Sequence, residues 1–530
     1  MVPKLIFQRD RSATMRGHGS PQEGNPSDVM VHPDEMRIAE SNAAQLGVSS
    51  IELMEKAGSA VADAMVRFTK PGRVLVVCGP GKNGGDGLVV ARSLLQRGYP
   101  AIVLLSVSPS SLVADETKLN WGRYLQLGGI HIATDQERWR DEASGEARRS
   151  KMIVDALFGT GIRDEISGNA ATIIDLMNSS KKPIVSVDTP SGLDPFTGTA
   201  CSKVVHARTT VTFQAMKKGL TSRPDLTGKV FVADIGIPRF ASLFIDREDV
   251  LSALPARDRF AHKGDYGVVL VVGGSELYSG APALAALAAL RTGAGLSMVA
   301  SPDSVASSIR SMSPDLIVRG LPGGRLGPGH LNSLRAELDR ATVVAVGPGI
   351  GRAEDSLKAI LEIAELALAE GKKLVVDADA LDISGKLAAT ASPKSLVLTP
   401  HAGEFKRLTG KDVGPHWPER VHEVQQFAKS GNCTVILKGH HTVISDGFLV
   451  KVNRGGNPGM SKGGTGDILT GVVSGLLAQG SSTLQAACAA TYICGMAADK
   501  LFKSKGFHYT ASDLLTALPE VLKDYDRYSG

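Results

Sequence analysis

What constrains this chain most is an alternation. From Val31 onward, helical stretches alternate with short β-branched runs that end in Gly, Pro or Asp. The runs Val74–Cys78, Ala101–Val107, Met152–Val154, Ile184–Val187 and Thr209–Phe213 form one set. After Ile245 the pattern restarts with Val268–Val272, Leu296–Ala300, Val343–Val346, Leu374–Val376, Leu396–Leu398 and Val435–Leu437. Such alternation predicts α/β sheets of mostly parallel strands, whose ligands bind beyond the carboxyl ends of the strands. At 530 residues two or three domains are expected. Pro238 and Pro255 bracket a charged stretch between the two sets. This predicts a tail over 1–29, one domain over 30–246 and a second over 247–530.

Composition narrows the function. A net charge of +5 from 59 basic and 54 acidic residues is too thin to imply nucleic acid. The five cysteines are an odd number with no CxxC pair, which argues against a disulfide framework or structural zinc and fits a reducing cytoplasm. Ile468 to Ala498 lacks any charge, yet Gly471, Gly475 and Gly480 and the polar run Ser481-Ser482-Thr483 predict two buried helices joined by a turn, not a membrane span. Residues 1–29 lack apolar periodicity and a secretory h-region. A disordered tail, or a true start at Met15 or Met30, is expected in preference to a transit peptide.

Three loops in the first half carry chemistry. Gly79-Pro80-Gly81-Lys82-Asn83-Gly84-Gly85-Asp86-Gly87 follows one strand and precedes a helical stretch from Leu88 to Gln96. Its glycines admit an anion close to the backbone. It also contains a formal GxGxxG, but the next strand ends in Ser106 and Ser108, without the acid that a dinucleotide-binding dehydrogenase uses for ribose. Asp155 and Asp188 each close a strand. Either alone reads equally well as a helix cap, but three such loops in one sheet converge on one crevice. The oxygens of Asn83, Asp155 and Ser191 can then surround a hard cation, leaving Asp188 as a candidate acid or base.

GPGKNGGDG, DALFGTG and VDTPSGLD, with LMEKAG at 53–58, resemble the epimerase domain of the NAD(P)H-hydrate repair enzymes over about residues 30 to 245. The resemblance implies a Rossmann-like three-layer sandwich, interconversion of the R and S hydrates NADHX and NADPHX, and a bound potassium ion. By position, Lys82, Asn83, Gly84, Gly85 and Asp86 would hold the substrate, together with Gly159, Thr160, Gly161, Ile162, Arg163, Asp164 and Glu165. Asn83, Asp155 and Ser191 would hold potassium, and Asp188 would be the catalytic carboxylate that also meets substrate. The family shows Asn where Lys82 stands.

In the second half, Ser461-Lys462-Gly463-Gly464-Thr465-Gly466-Asp467 precedes an apolar helix expected from Ile468. Glycine amides and a helix N-terminus make an oxyanion site for a phosphoryl group, and Asp467 is placed to deprotonate an attacking hydroxyl. A capping role for Asp467 would not need four nearby glycines. No Walker A pattern occurs. His401 lies in a Pro-Gly turn at a strand end, where functional contact competes with a structural role. Adjacent His440 and His441 have no third ligand at metal spacing.

GPGIG, DADAL, TPHAGEF, LKGHHT and GGTGD, with GAPALAALAALRTGAG at 280–295, resemble the ribokinase-like dehydratase domain of the same repair system over about residues 250 to 528. By position, Ala281, Gly349, His401 and Asp467 would meet the hydrate, and Lys438, Gly439, His440, His441, Thr442 and Gly466 the nucleotide. The resemblance implies nucleotide-dependent dehydration of the S hydrate to NAD(P)H with Mg2+. Fusion with the epimerase first resembles the bacterial arrangement, in which ADP is the donor and AMP and phosphate are released. A homo-oligomer is implied, with neither nucleic acid nor membrane as partner. The rivals are a ribokinase-like small-molecule kinase with a regulatory first domain, and a first domain that serves only as a binding scaffold.

Overall fold

The computed structural model describes residues 29–30, 33–68, 70–160, 165–388, 390–392 and 394–529. The expectations for residues 1–28 lie outside them. The chain forms two compact units that divide between Pro238 and Arg239.

In the first unit, strands β1 (Val74–Cys78), β2 (Ala101–Leu105), β3 (Ile130–Ala133), β4 (Met152–Ala156), β5 (Ile184–Val187), β6 (Thr209–Phe213) and β7 (Lys229–Ala233) form one sheet. Its order is β3-β2-β1-β4-β5-β6-β7, with every pairing parallel. Each residue of β1, β2 and β4 is buried, as expected where helices cover both faces. Helices α2 (Ser50–Phe68) and α3 (Lys82–Gln96) supply part of that cover, and α1 (Pro33–Gln45) precedes them. The order reverses between β1 and β4, and a Rossmann-like sheet opens its ligand crevice at that reversal. A two-residue strand, Val29–Met30, pairs in parallel with Met216–Lys217.

The second unit repeats this order. Strands β8 (Val268–Val272), β9 (Leu296–Pro302), β10 (Ile317–Leu321), β11 (Val343–Val346), β12 (Lys373–Val376), β13 (Leu396–Leu398), β14 (Thr434–Leu437), β15 (Thr442–Ser445) and β16 (Val450–Asn453) run β10-β9-β8-β11-β12-β13-β14-β15-β16. The sheet is parallel through β14, and β15 and β16 are antiparallel additions. Its labelled helices are α4 (Arg247–Ala253), α5 (Gly280–Thr292), α6 (Ala402–Thr409), α7 (Trp417–Ser430), α8 (Thr465–Ala478), α9 (Thr483–Lys505) and α10 (Ala511–Leu522). This is the ribokinase-like architecture expected from the motifs.

The chargeless stretch becomes α8 and α9, joined by a turn that ends in a capping box. Ser482 Oγ accepts from the Gln485 amide at 3.3 Å, and Gln485 Oε1 accepts from the Ser482 amide at 3.2 Å. Both helices lie in the core of the unit. Among the described residues no helix is long and apolar enough to cross a membrane.

The division at 238/239 precedes the expected 246/247 because the intervening residues belong to the second sheet's edge. The Val452 amide donates to the Leu243 carbonyl at 2.8 Å and the Ile245 amide to the Val452 carbonyl at 3.0 Å. A fully buried ion pair, Lys451–Asp249 at 2.9 Å, secures α4 on the same strand. Two helices also start earlier than expected. α3 begins at Lys82 and not Leu88, and α8 at Thr465 and not Ile468. The glycine runs thus belong to first turns, whose backbone amides have no partner inside the helix.

Candidate active sites

In the first unit Gly81 is the N-cap of α3, so Lys82, Asn83, Gly84, Gly85 and Asp86 occupy its opening turns. Glycine is required at position 84, where a Cβ would fall 1.9 Å from the Gly79 carbonyl oxygen. The turn therefore packs directly on the end of β1. The Asn83 side-chain amide donates to the Phe158 carbonyl at 2.8 Å. Ser191 Oγ accepts from the Phe158 amide at 2.9 Å and donates to Asp155 Oδ1 at 2.6 Å. Asp155, fully buried, also accepts from Ser186 Oγ at 2.8 Å and from the Ser191 amide at 2.9 Å. Burial raises its carboxyl against these hydrogen bonds. Asn83, Asp155 and Ser191, expected together, do meet around Phe158, and their oxygens with the Phe158 carbonyl are a hard donor set.

Asp188 directly follows β5 with φ 64, a left-handed conformation unusual for a residue with a side chain. Its Oδ1 accepts from Thr212 Oγ at 3.0 Å, the Phe213 amide at 3.2 Å and Lys217 Nζ at 2.6 Å. Lys217 is fully buried. Asp86 shares the crevice. Burial, and then the nearby Asp188 and Glu40 of α1, push its carboxyl well above the usual range. Burial likewise raises Glu40, partly offset by Lys82. Gly159 lies against Asn83, whereas Thr160 and Glu165 are exposed. Gly161, Ile162, Arg163 and Asp164 lie outside the described residues. Sequence reasoning missed Lys217 and Glu40. A lysine four residues beyond a strand end was the one available signal for the first, and nothing local marked the second.

In the second unit a cavity of about 630 Å³ is lined by Asp377, His401, Glu404, Lys438, Gly439, His440, Thr442, Gly463, Gly464, Gly466 and Asp467, among others. Asp377 follows β12 and is buried. It accepts from Thr399 Oγ at 2.6 Å, Lys438 Nζ at 3.1 Å and Thr470 Oγ at 2.7 Å. Burial opposes its ionisation, but Lys438 and the two hydroxyls outweigh it and hold the carboxyl below its usual range. Asp467, in the first turn of α8, is pushed up to about 7 by burial and then by Asp377, with Lys438 opposing. One carboxylate is thus kept charged and its neighbour is poised near neutrality. That is the separation an acid-base site needs.

His401 proves to be both structural and lining. Its Nδ1 accepts from the Gly403 amide at 3.0 Å and the Glu404 amide at 3.2 Å, capping α6, while the ring borders the cavity. Arg420 of α7 holds the LKGHHT loop by donating to the His441 carbonyl at 2.6 Å and the Lys438 carbonyl at 3.0 Å. His441, grouped with Lys438, Gly439, His440 and Thr442 from sequence, does not line the cavity. Burial and neighbouring cationic groups, His440 first, lower its pKa. Ala281 and Gly349 also lie off this cavity. A Cβ at Gly349 would fall 2.6 Å from the Tyr278 carbonyl oxygen and 3.2 Å from the Ala281 Cβ, next to the reversal between β8 and β11.

Two Rossmann-type sheets, one with a carboxylate beside a hydrogen-bonded cluster of oxygen ligands and one with a poised carboxylate under a glycine-rich helix start, define a two-domain α/β enzyme with a candidate site in each domain. Residues 50–219 match the family model described as YjeF-related protein N-terminus, and residues 269–520 match NAD(P)H-hydrate dehydratase. The bifunctional NAD(P)H-hydrate repair enzyme Nnr of Pyrobaculum aerophilum is 42% identical over 93% of this chain and 97% of its own length. That of Moorella thermoacetica is 37% identical over 90% and 93%. A solved structure, the ADP/ATP-dependent NAD(P)H-hydrate dehydratase from Bacillus subtilis co-crystallized with ATP/Mg2+, is 30% identical with a TM-score of 0.46. It covers 54% of this chain and 99% of that one. The chain belongs to the family of bifunctional NAD(P)H-hydrate repair enzymes.

Proposed function

We propose that the first unit epimerises R- and S-NAD(P)HX and that the second dehydrates the S form to NAD(P)H at the expense of ADP. The hydrated ring carries a hydroxyl on the carbon beside its nitrogen, and hydroxide is a poor leaving group. Asp467 takes the proton of that hydroxyl, and the oxygen attacks the terminal phosphorus of ADP, releasing AMP. The amides of the Gly463–Gly466 turn stabilise the charge on the phosphoryl group in flight. The nitrogen lone pair then expels phosphate, and the adjacent carbon gives up a proton to restore the ring double bond. The observation that carries this reading is the pairing of Asp467 with Asp377 and Lys438 under the α8 N-terminus in one cavity.

In this reading Lys438, Gly439, His440, Thr442 and Gly466 hold the nucleotide, and His401, Ala281 and Gly349 the hydrate. Among the described residues no group of three acidic, histidine or cysteine side chains forms a metal centre. Mg2+ would enter with the nucleotide, held mainly by phosphate oxygens, whose charge it neutralises. In the first unit Asp188 is the catalytic carboxylate. The turn Lys82–Asp86 and the segment 159–165 hold substrate, and Asn83, Asp155 and Ser191 accommodate potassium. Cytoplasmic residence and a homo-oligomeric assembly complete the proposal.

The test is to give the protein a mixture of both NADHX epimers in potassium buffer with ADP, ATP or neither, and to follow the near-ultraviolet absorbance of reduced nicotinamide. Complete, ADP-dependent recovery is expected. A stall with R hydrate remaining would remove epimerisation from the proposal. No recovery with either nucleotide would point to a small-molecule kinase with a regulatory first unit.

A further inference from the structure

The reading of Asp188 as the catalytic carboxylate leaves unexplained why a lysine is fully buried beside it. An ammonium taken out of water costs several kcal/mol unless it is paired and hydrogen-bonded. Lys217 meets that condition completely. Its Nζ donates to Asp188 Oδ1 at 2.6 Å, Thr212 Oγ at 2.7 Å and the Phe213 carbonyl at 3.4 Å. An ammonium has three hydrogens, and all three are engaged. Lys217 therefore has no hydrogen left for a substrate and, being charged, no lone pair with which to attack one.

The three hydrogen bonds to Asp188 from Thr212, Phe213 and Lys217 all fall on Oδ1. No described residue donates to Oδ2, and the Asp188 side chain keeps 13% of its exposure, whereas that of Lys217 keeps none. The carboxylate is clamped by one oxygen and open at the other. Its backbone is held as well. The Asp188 amide donates to the Val211 carbonyl at 2.8 Å in the left-handed conformation, and Met216–Lys217 pairs with Val29–Met30. Glu40, Lys82, Asp86 and Glu116 are other charged groups that act on this crevice.

We infer that Lys217 is a positioning residue for epimerisation: with Thr212 and the Phe213 amide it fixes Oδ1 of Asp188, so that Oδ2 is the oxygen that meets the substrate. This rests on the catalytic reading of Asp188, and the test separates the two. Purified R and S hydrates are interconverted by the full chain without nucleotide, and the epimers are resolved by chromatography. Asp188→Asn tests the underlying reading, and retained interconversion would dispose of both ideas. Lys217→Met keeps the side chain's length without its charge. It should lower kcat for epimerisation about 10- to 100-fold, the cost of a misplaced group, with KM nearly unchanged. Dehydration of S hydrate with ADP in the same preparation should persist.

Lys217→Ala should regain part of its kcat with added propylammonium but not with propanol. Thr212→Val, nearly the same volume, should lower kcat in the same direction, and it decides the matter if neither lysine variant folds. An inactive Asp188→Asn beside wild-type kcat in Lys217→Met, or in Thr212→Val, would overturn the inference alone. So would a loss confined to KM, which would make Lys217 a substrate contact.

Discussion

Asp467 sits where a helix N-terminus favours negative charge, yet its carboxyl is pushed up to about 7, so burial and Asp377 outweigh the dipole. As a base it must be ionised, and the dehydration rate should fall as pH drops through about 7. Asp377→Asn removes a like charge and releases Lys438, and both changes favour ionised Asp467. The acidic limb of the rate profile should move to lower pH, and an unmoved limb would clear Asp377 of that influence. The same shift has a sign for stability. Folded Asp467 binds its proton more tightly than the ordinary value of 3.8, so its contribution is fully present below 3.8 and is lost as pH rises through about 7. Asp467→Asn should therefore cut dehydration by about 10²- to 10⁴-fold and leave epimerisation intact. In mildly alkaline buffer it should raise the Tm of the second unit by at least about 2 °C. A lower Tm there would contradict the sign.

Helix α8 carries Asp467 and is set in place by its glycines. A Cβ at Gly471 would lie 2.1 Å from the Ala285 carbonyl oxygen, and one at Gly475 would lie 2.7 Å from that of Ala289. The two glycines are one turn apart and let α8 lie against the alanine-rich α5 at backbone contact. Gly471→Ala, otherwise a favourable change in a helix, should destabilise the second unit by about 1–3 kcal/mol, as overpacking does, and should slow dehydration by shifting Asp467. Denaturant unfolding of the variant checks this, and unchanged stability would mean the helices can part freely. The central strands of both sheets were legible because continuous β-branched runs admit few alternatives when both faces are buried, whereas the partly exposed β3, β7 and β10 and the antiparallel β15 and β16 were not read from the sequence. The starts of α3 and α8 were not. Glycine is a poor helix former, and a glycine run reads as a loop until a neighbouring carbonyl, such as that of Gly79, is seen to exclude a side chain.

For the whole molecule, the position of the division is itself testable. Phe240, Leu243, Phe244 and Ile245 complete the edge at β16, with the Phe244 ring 5.8 Å from that of Trp417. A fragment 239–530 should unfold at a higher temperature than a fragment 247–530, which leaves that edge open. Equal melting would return the boundary to the proline-bracketed stretch read from sequence. The two-sheet plan and the meeting of Asn83, Asp155 and Ser191 were readable because Asp155 lies at the end of a recognisable strand and the loops of the other two follow one. Lys217 and Glu40 were not, because their importance lies in meeting Asp188 and Asp86 across the fold, and no local pattern encodes such a meeting. Ala281 and Gly349 were legible in their two motifs, but their absence from the lining of the Asp467 cavity was not, since spacing along the chain says nothing about which strand reversal a loop faces.

The cap made by His401 dictates which tautomer the ring adopts. With Nδ1 occupied by two backbone amides, the neutral imidazole carries its hydrogen on Nε2, 3.5 Å from a Glu404 carboxylate oxygen. Towards a ligand this ring can offer a hydrogen but cannot receive one. It would discriminate for an acceptor oxygen, such as a phosphate or a carbonyl, and against a lone hydroxyl proton. Protonating it would sacrifice the cap, so helix α6 would register any ligand that tried to force the exchange.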